Sequence, residues 1–147
     1  SGLFDNDGLF LKPGGFGSTV FGAPVDNSGE MRAEIGTLQF SYALTSTGSV
    51  VGQPGTLLHF TGSGARNFQA GSSITGDELR FSTNSNTVRG AYEARVRTRV
   101  ESGATLTFAP GATVSDYGPE LIVGGNAANN EVYFTINQQG TLLGGIL

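Results

Sequence analysis

The sequence predicts an all-β protein that folds as a right-handed parallel β-helix (a β-solenoid) of about seven coils, each about 21 residues long. Three observations support this fold class. Gly contributes 24 of the 147 residues, and 37% of the chain is apolar, whereas only 14% is charged. No window of about 11 residues keeps a helical apolar period without an interrupting Gly or Pro. Short apolar segments recur instead at a nearly constant spacing, which is typical of stacked coils.

The first repeated element is a corner. The segment FDNDG at residues 4–8 is followed by VDNSG at residues 25–29, so that Phe4 and Val25 are one repeat apart. We expect Asn6 and Asn27 to stack on each other at successive copies of this corner. Asn and Gly both tolerate the left-handed backbone conformation that a tight corner requires.

The second repeated element is a core strand, found in GTLQF (residues 36–40), TLLHF (56–60) and DELRF (77–81). Strand alternation sends the Leu and the Phe of each copy inward and the residue between them outward. Stacking about 4.8 Å apart then builds one continuous core. The predicted inward ladders are Leu38, Leu58, Leu79, Val100, Leu121 and Leu142, and Phe40, Phe60 and Phe81. The outward row is Gln39, His59 and Arg80.

The segment GATLTF at residues 103–108 falls out of step with these core strands. We therefore place Leu106 and Phe108 on another face of the same coil. The segments NTVRGAY (86–92) and ARVRTRV (94–100) would form strands of adjacent faces.

Composition limits the class of protein and its partners. A chain of this length fits a single domain, residues 1–147. The net charge of −4 argues against nucleic acid or an anionic membrane as a partner. The chain has no Cys and no apolar run long enough to span a bilayer, so neither disulfides nor membrane insertion is expected. Because it begins at Ser1 and shows no signal peptide, we expect a processed or excised piece of an exported, extracellular protein.

The order of these elements is similar to that in a known group of repeats. Residues 4–40, FDNDGLFLKPGGFGSTVFGAPVDNSGEMRAEIGTLQF, resemble the glycine-rich repeats of very large secreted bacterial proteins, of the form FxNxG–xxxK–GGxGxST–xxxxNxG–xxxxxGTLxF. VRGAY and GATLTF also resemble parts of those repeats. The resemblance implies a parallel β-helix that serves as a stalk, an adhesin scaffold or a wall-associated fibre. Those repeats normally lie within much longer chains.

Few residues are candidates for metal binding. His59 is the only His, so a site with several His ligands is impossible, and an outward surface position is favoured. Asp5, Asp7 and Asp26 could offer calcium hard oxygen ligands at the repeated corner. However, Ser28 replaces Asp7 in the second copy, and the calcium-binding nonapeptide repeat is missing. These Asp residues are therefore interpreted as turn formers, and neither a metal nor a cofactor is expected.

Catalytic signatures are also missing. KPGGFGST at residues 12–19 lacks the GxxxxGK[ST] pattern and precedes no predicted helix, so it is interpreted as a glycine corner. Polysaccharide lyases and hydrolases use this fold, but they need clustered carboxylates in a cleft, whereas the twelve acids are scattered and Trp is absent. Thr105-x-Thr107 does not recur at the repeat distance, as an ice-binding ladder would. We predict no enzymatic activity.

The only concentrated charge is an arginine face. Arg95, Arg97 and Arg99 alternate with smaller residues, which would place three guanidinium groups on one outer face. This face could bind an anionic polysaccharide or the carboxylates of a partner. Alternatively, it could pair with acids on neighbouring coils, and this structural interpretation is favoured. The candidate acids are Glu78, Glu93 and Glu101.

The sequence predicts a structural subunit of an extracellular bacterial filament or surface fibre, whose partner is a second copy of itself. Terminal coils expose unpaired backbone groups, and this chain shows no polar cap over them. Head-to-tail stacking would cover both ends and generate a fibre. The predicted interface consists of Leu3, Phe4, Leu142, Leu143, Ile146 and Leu147. The alternative is an adhesin or carbohydrate-binding segment of a larger cell-surface protein that uses the arginine face.

Overall fold

The computed structural model describes residues 2–101, 103–124 and 133–136, the last range by its backbone alone. These residues form an all-β parallel solenoid of about six turns, with coils about 20 residues long. The predicted fold class is confirmed. A further strand, Tyr133–Ile136, pairs in parallel with a strand of the sixth turn. Right-handedness and the expected total of about seven coils stay predictions.

The strands follow one another with short corners between them. In chain order they are β1 Phe4–Asn6, β2 Leu9–Lys12, β3 Ser18–Phe21, β4 Val25–Asn27, β5 Glu30–Ala33, β6 Thr37–Phe40, β7 Leu44–Ser46, β8 Ser49–Gly52, β9 Leu57–Phe60, β10 Arg66–Phe68, β11 Ser73–Phe81, β12 Asn84–Val88, β13 Ala91–Val100, β14 Ala104–Phe108, β15 Thr113–Asp116, β16 Glu120–Val123 and β17 Tyr133–Ile136. Turns 1, 2, 3 and 6 contain three strands each. Turn 4 consists of β10 and β11, and turn 5 of β12 and β13.

Stacked strands build three faces. Face 1 comprises β1, β4, β7, β10, β12, β14 and β17. Face 2 comprises β2, β5, β8, the first parts of β11 and β13, and β15. Face 3 comprises β3, β6, β9, the second parts of β11 and β13, and β16. In turns 4 and 5 a single long strand therefore runs through the corner between faces 2 and 3.

Aromatic rings form a column in the core. Phe21, Phe40, Phe60 and Phe81 lie in register on face 3, and successive ring centroids are 5.2, 5.3 and 5.1 Å apart. The rings tilt by only 8–14° relative to one another, because identical side chains at a common register stack in parallel. The leucines two positions earlier are buried and the residues between them lie outward, so the predicted alternation is confirmed.

The predicted leucine ladder is wrong at one step. Leu79 lies opposite Thr98, and Thr98 lies opposite Leu121, whereas Val100 continues the phenylalanine column after Phe81. The prediction assumed a constant 21-residue step. The corners on either side of β12, residues 82–83 and 89–90, are shorter than those on either side of β10, residues 61–65 and 69–72, so the step from Leu79 to Thr98 is 19 residues. Leu142 lies outside the described residues.

The stacked Asn corner is confirmed, but its conformation differs from the prediction. Asn6 and Asn27 are register partners, and Asn6 Nδ2 donates to Asn27 Oδ1 over 2.7 Å. Asn6 is the last residue of β1 and Asn27 the last residue of β4, and their side chains point inward. Neither residue adopts a left-handed backbone conformation. Among the described non-Gly residues, only Asn84 has a positive φ, of 57°. Side-chain hydrogen bonds therefore hold this corner.

The segment at residues 103–108 lies where the spacing placed it. Leu106 and Phe108 belong to β14 on face 1, away from the leucine ladder on face 3. Contrary to the prediction, the segments 86–92 and 94–100 do not form one strand each: a corner at residues 89–90 divides the first between β12 and β13, and β13 continues through the second.

Candidate functional site

The edge of turn 1 is the first candidate surface. Within the described residues, β1, β2 and β3 each pair with a strand on one side only. Beside them, Phe4, Phe10 and Phe21 form an aromatic cluster with ring centroids 4.9–5.7 Å apart. Leu3 lies at the same edge and is 63% exposed. We call these strands and side chains the first-turn edge. It contains Leu3 and Phe4 of the predicted interface, whereas Leu142, Leu143, Ile146 and Leu147 lie outside the described residues.

The outer wall of turn 1 is apolar as well. Leu9 and Leu11 on β2 and Val20 on β3 all point outward and are exposed. Their register partners in turn 2 are Glu30, Arg32 and Gln39. Strand alternation alone marks these three apolar residues as outward. The apolar outer wall of turn 1 could therefore have been predicted from the sequence, but only inward residues were considered.

The arginine face is split by a bulge. Asp77 in β11 lies opposite two residues of β13, which shifts the register and leaves Val96 42% exposed. The chain bends at this point from face 2 to face 3. Arg97 and Arg99 therefore lie together on face 3, whereas Arg95 lies at the bend. The prediction that all three share one face is wrong because it assumed unbroken alternation.

Arg95 is held at the bend by hydrogen bonds. Its Nε donates to Asp77 Oδ1 over 2.7 Å, and its terminal nitrogen donates to the carbonyl of Gly52 over 2.6 Å. The Gly55 N–H also donates to Asp77, over 2.7 Å. Burial raises the pKa of Asp77, but the hydrogen bonds from Gly55 and Arg95 outweigh it, and the pKa lies below its usual value.

The arginines on face 3 are paired with carboxylates. Arg97 contacts Glu78 at 3.4 Å and Glu120 at 2.5 Å, and Arg99 contacts Glu101 at 3.2 Å. The hydrogen bond that Arg97 donates to Glu120 raises the pKa of Arg97. Of the three acids that the sequence suggested, Glu78 and Glu101 pair with these arginines, whereas Glu93 does not. The remaining contacts on this face join Arg80 to Glu78 and to Glu101.

The Asp residues of the repeated corner point away from the core. Asp5 and Asp26 are register partners on the outside of face 1 and are exposed. Within residues 2–101, 103–124 and 133–136, no three His, Cys, Asp or Glu residues are placed to hold a metal ion. Calcium binding at this corner gains no support from the geometry.

The segment at residues 12–19 forms a loop between β2 and β3. Lys12, the single Lys of the chain, is only 7% exposed. Its Nζ donates to the carbonyls of Gly14 and Gly15, both at 2.9 Å. The tip residue, Phe16, is 90% exposed. The burial of this Lys was not predicted, because a charged residue next to Pro and Gly usually lies in solvent.

A groove lies beside this loop at the corner between faces 2 and 3. It has a volume of about 340 Å³. Phe16 lines it from turn 1, Glu34 and Ile35 from turn 2, and Pro54 and Leu57 from turn 3. We call it the corner groove. The sequence did not predict it, because it depends on how three corners of different length stack.

Two polar side chains are buried inside the solenoid where the sequence predicted none. Arg66 and Asn86 are register partners on face 1 and both are fully buried. Arg66 donates to the carbonyls of Gly64, Thr83 and Phe40 over 3.0–3.3 Å. Burial without a carboxylate partner lowers the pKa of Arg66 to about 10. Both side chains are inaccessible to a ligand, and the hydrogen bonds of Arg66 stabilise the adjacent corners.

His59 lies in the outward row of face 3, as predicted. Its Nε2 is 2.7 Å from Ser82 Oγ. Burial lowers the pKa of His59, and the neighbouring Arg80 lowers it further. The ring and the Ser82 hydroxyl are within hydrogen-bond distance, but among the described residues no carboxylate forms a hydrogen bond with the other ring nitrogen.

No protein-family model, no curated protein and no solved structure matches the chain. Across the described part of the chain, no helix is long and apolar enough to cross a membrane.

Proposed function

We propose that this chain is a structural, non-enzymatic subunit of an extracellular bacterial filament or surface fibre, and that its solenoid turns stack head to tail. The observation that supports this most directly is the first-turn edge, where three parallel strands pair on one side only. Unpaired strand edges beside an apolar core favour the addition of another turn. Contact between unlike ends of identical subunits does not close, so it produces a fibre.

We also propose that the turns are of the FxNxG–GTLxF type found in large secreted bacterial surface proteins. The support is the pattern of residues 4–40 and the stacked pair of Asn6 and Asn27, which gives the Asn of that pattern a structural role. That resemblance also supports the extracellular location.

Electron microscopy and light scattering of the purified chain test the proposal. We expect fibres for the parent protein. Phe4→Asp should abolish them, because it places a carboxylate in the contact. Tyr42→Asp adds the same charge at an exposed aromatic residue on a corner of turn 2, and should leave the fibres unchanged. Leu143→Pro should also block addition, because Pro cannot donate to a β-ladder. Circular dichroism should show that all variants keep their β-structure.

A parent protein that stays monomeric at high concentration would contradict the proposal. Fibres of normal length from both Phe4→Asp and Leu143→Pro would contradict the head-to-tail contact, since the association would then be lateral.

Binding of an anionic polysaccharide by the arginine face stays a prediction. A ligand would have to displace the carboxylates of Glu78, Glu101 and Glu120, so the pairing favours a structural role. Replacing Arg95, Arg97 and Arg99 together with Gln should leave retention on an anionic polysaccharide column at low salt unchanged. Loss of retention with intact circular dichroism would favour the adhesin alternative.

A further inference from the structure

The corner groove presents an uncovered aromatic ring on a loop whose backbone is held in place. The ammonium group of Lys12 holds the loop between β2 and β3 by donating to the carbonyls of Gly14 and Gly15. Gly36 of the next turn supports it from the side: a Cβ at this position would lie 2.5 Å from Gly15 O and 2.6 Å from Gly17 O. With a φ of +78°, Gly36 also has a backbone conformation that other residues rarely adopt. The loop is therefore preorganised, so a ligand that packs on Phe16 loses little affinity to ordering.

The groove also carries a carboxylate without a counter-charge. Glu34 is exposed and lines the groove, and it forms neither an ion pair nor a hydrogen bond through its side chain with any residue in the described ranges. The arginine nearest to it in sequence, Arg32, pairs with Glu30. The remaining named lining residues, Ile35 and Leu57 among them, are uncharged. The charge of the groove is therefore complementary to a cation.

Backbone groups at the groove are already paired. The N–H groups of Glu34, Thr37 and Leu57 donate to carbonyls of the preceding turn over 3.0–3.2 Å. A peptide that binds by adding a strand needs free backbone groups, and these three N–H groups are already hydrogen-bonded. A sugar ring needs only an apolar surface for one of its faces and a few polar side chains for its substituents.

We propose that the corner groove binds a polysaccharide that contains glucosamine. Phe16 packs against the apolar face of one pyranose ring, and the carboxylate of Glu34 pairs with the ammonium group of the sugar. The volume of about 340 Å³ lies at the lower end of the range for small-molecule sites, which suits one or two rings of a longer chain. The site lies mostly in turns 2 and 3, and only Phe16 comes from turn 1, from the loop between β2 and β3.

Calorimetric titration of the whole chain with a glucosamine hexamer at low salt tests the site. We expect weak binding by the parent protein. Phe16→Ala should weaken it by about tenfold or more, as for a central aromatic contact. Glu34→Gln should weaken it by a few-fold and remove most of its salt dependence. The matched controls, Tyr42→Ala and Glu93→Gln, change an exposed aromatic residue and a carboxylate outside the groove and should bind as the parent does.

Three results would overturn the proposal. The first is the absence of binding by the parent protein at millimolar hexamer. The second is unchanged binding by Phe16→Ala, which keeps the fold because this ring is 90% exposed. The third is equally tight binding of the N-acetylglucosamine hexamer or of a lysine pentapeptide, since the recognised feature would then be the ring alone or the charge alone.

Discussion

The first three turns and the two that follow satisfy their buried polar groups in different ways. In turns 1–3 the corner between faces 1 and 2 encloses a row of side chains: Asn6, Asn27 and Ser46. Asn6 donates to Asn27 over 2.7 Å, and Asn27 donates to Ser46 Oγ over 3.1 Å. In turns 4 and 5 the same register positions hold Phe68 and Val88, which carry no polar atoms on their side chains.

Turns 4 and 5 place their polar groups elsewhere. Arg66 and Asn86 are buried at the opposite end of face 1 and bind corner carbonyls there. At the corner between faces 2 and 3, the long strands bend at Asp77 and Arg95, and an ion pair takes the place of a loop. The comparison shows that the apolar rows keep the register, while each corner is stabilised by whichever polar groups its length permits.

The largest expected effect concerns the apolar rows that the two regions share. Leu58→Asp should cost several kcal/mol, because it buries a carboxylate beside apolar neighbours. His59→Asp, at the adjacent outward position, should cost less than about 1 kcal/mol. Thermal unfolding of both variants measures this difference. Equal losses would mean that the inward and outward assignments are wrong.

The Asn row of the first region should have the next largest effect. Asn27→Ala removes the acceptor of Asn6 and the donor to Ser46, and should cost about 1–3 kcal/mol. Asn67→Ala is the matched control, because Asn67 lies outward on the same face in turn 4. This substitution should cost about 0.5 kcal/mol or less. Denaturant unfolding compares the two. Similar costs would show that the row does not stabilise its corner.

The ion pair at the bend should matter less than the Asn row. Asp77→Asn weakens the contacts to Arg95 and Gly55 and should cost about 1 kcal/mol at low salt, with a smaller cost at high salt. Glu93→Gln, on the neighbouring strand β13, serves as the control for removing one carboxylate. A cost that does not change with salt would show that the charge of Asp77 is unimportant.

The sequence predicted the fold where its repeat is regular. The pattern of Leu38 and Phe40 recurs after 20 residues and again after 21, so alternation alone was enough to place them inside. The prediction failed at Val100 because the corners on either side of β12 are shorter than those on either side of β10, which shortens the step. A change in corner length leaves the alternating pattern of each strand unaltered, and only the pairing with neighbouring strands reveals it.

The candidate sites were less predictable than the fold. Lys12 and Arg66 are charged residues next to Gly-rich segments, and such residues are usually exposed. Lys12 is held by carbonyls of the loop that follows it, and Arg66 by carbonyls of Thr83 and Phe40, which the fold brings towards it. The corner groove likewise depends on three loops of unequal length, whose relative positions no single segment of sequence encodes.

The smallest expected effect is a pH dependence on face 3. Burial lowers the pKa of His59 below its usual value of 6.5, so the unfolded state binds a proton more readily than the folded state. Stability should therefore be constant above about pH 7 and should fall as the pH drops through about 6.5. His59→Gln should show a smaller loss between about pH 7.5 and 5.5 than the parent does. Parallel losses of Tm would show that His59 is not the responsible group.

Hydrogen–deuterium exchange at low and high protein concentration tests the central claim most directly, because it compares the first-turn edge with an interior turn. We predict that amides in Leu9–Lys12 and Ser18–Phe21 become more protected as concentration rises, and approach the level of Ser49–Gly52. Protection in Ser49–Gly52 should not change. Exchange in the first turn that is independent of concentration would contradict head-to-tail stacking.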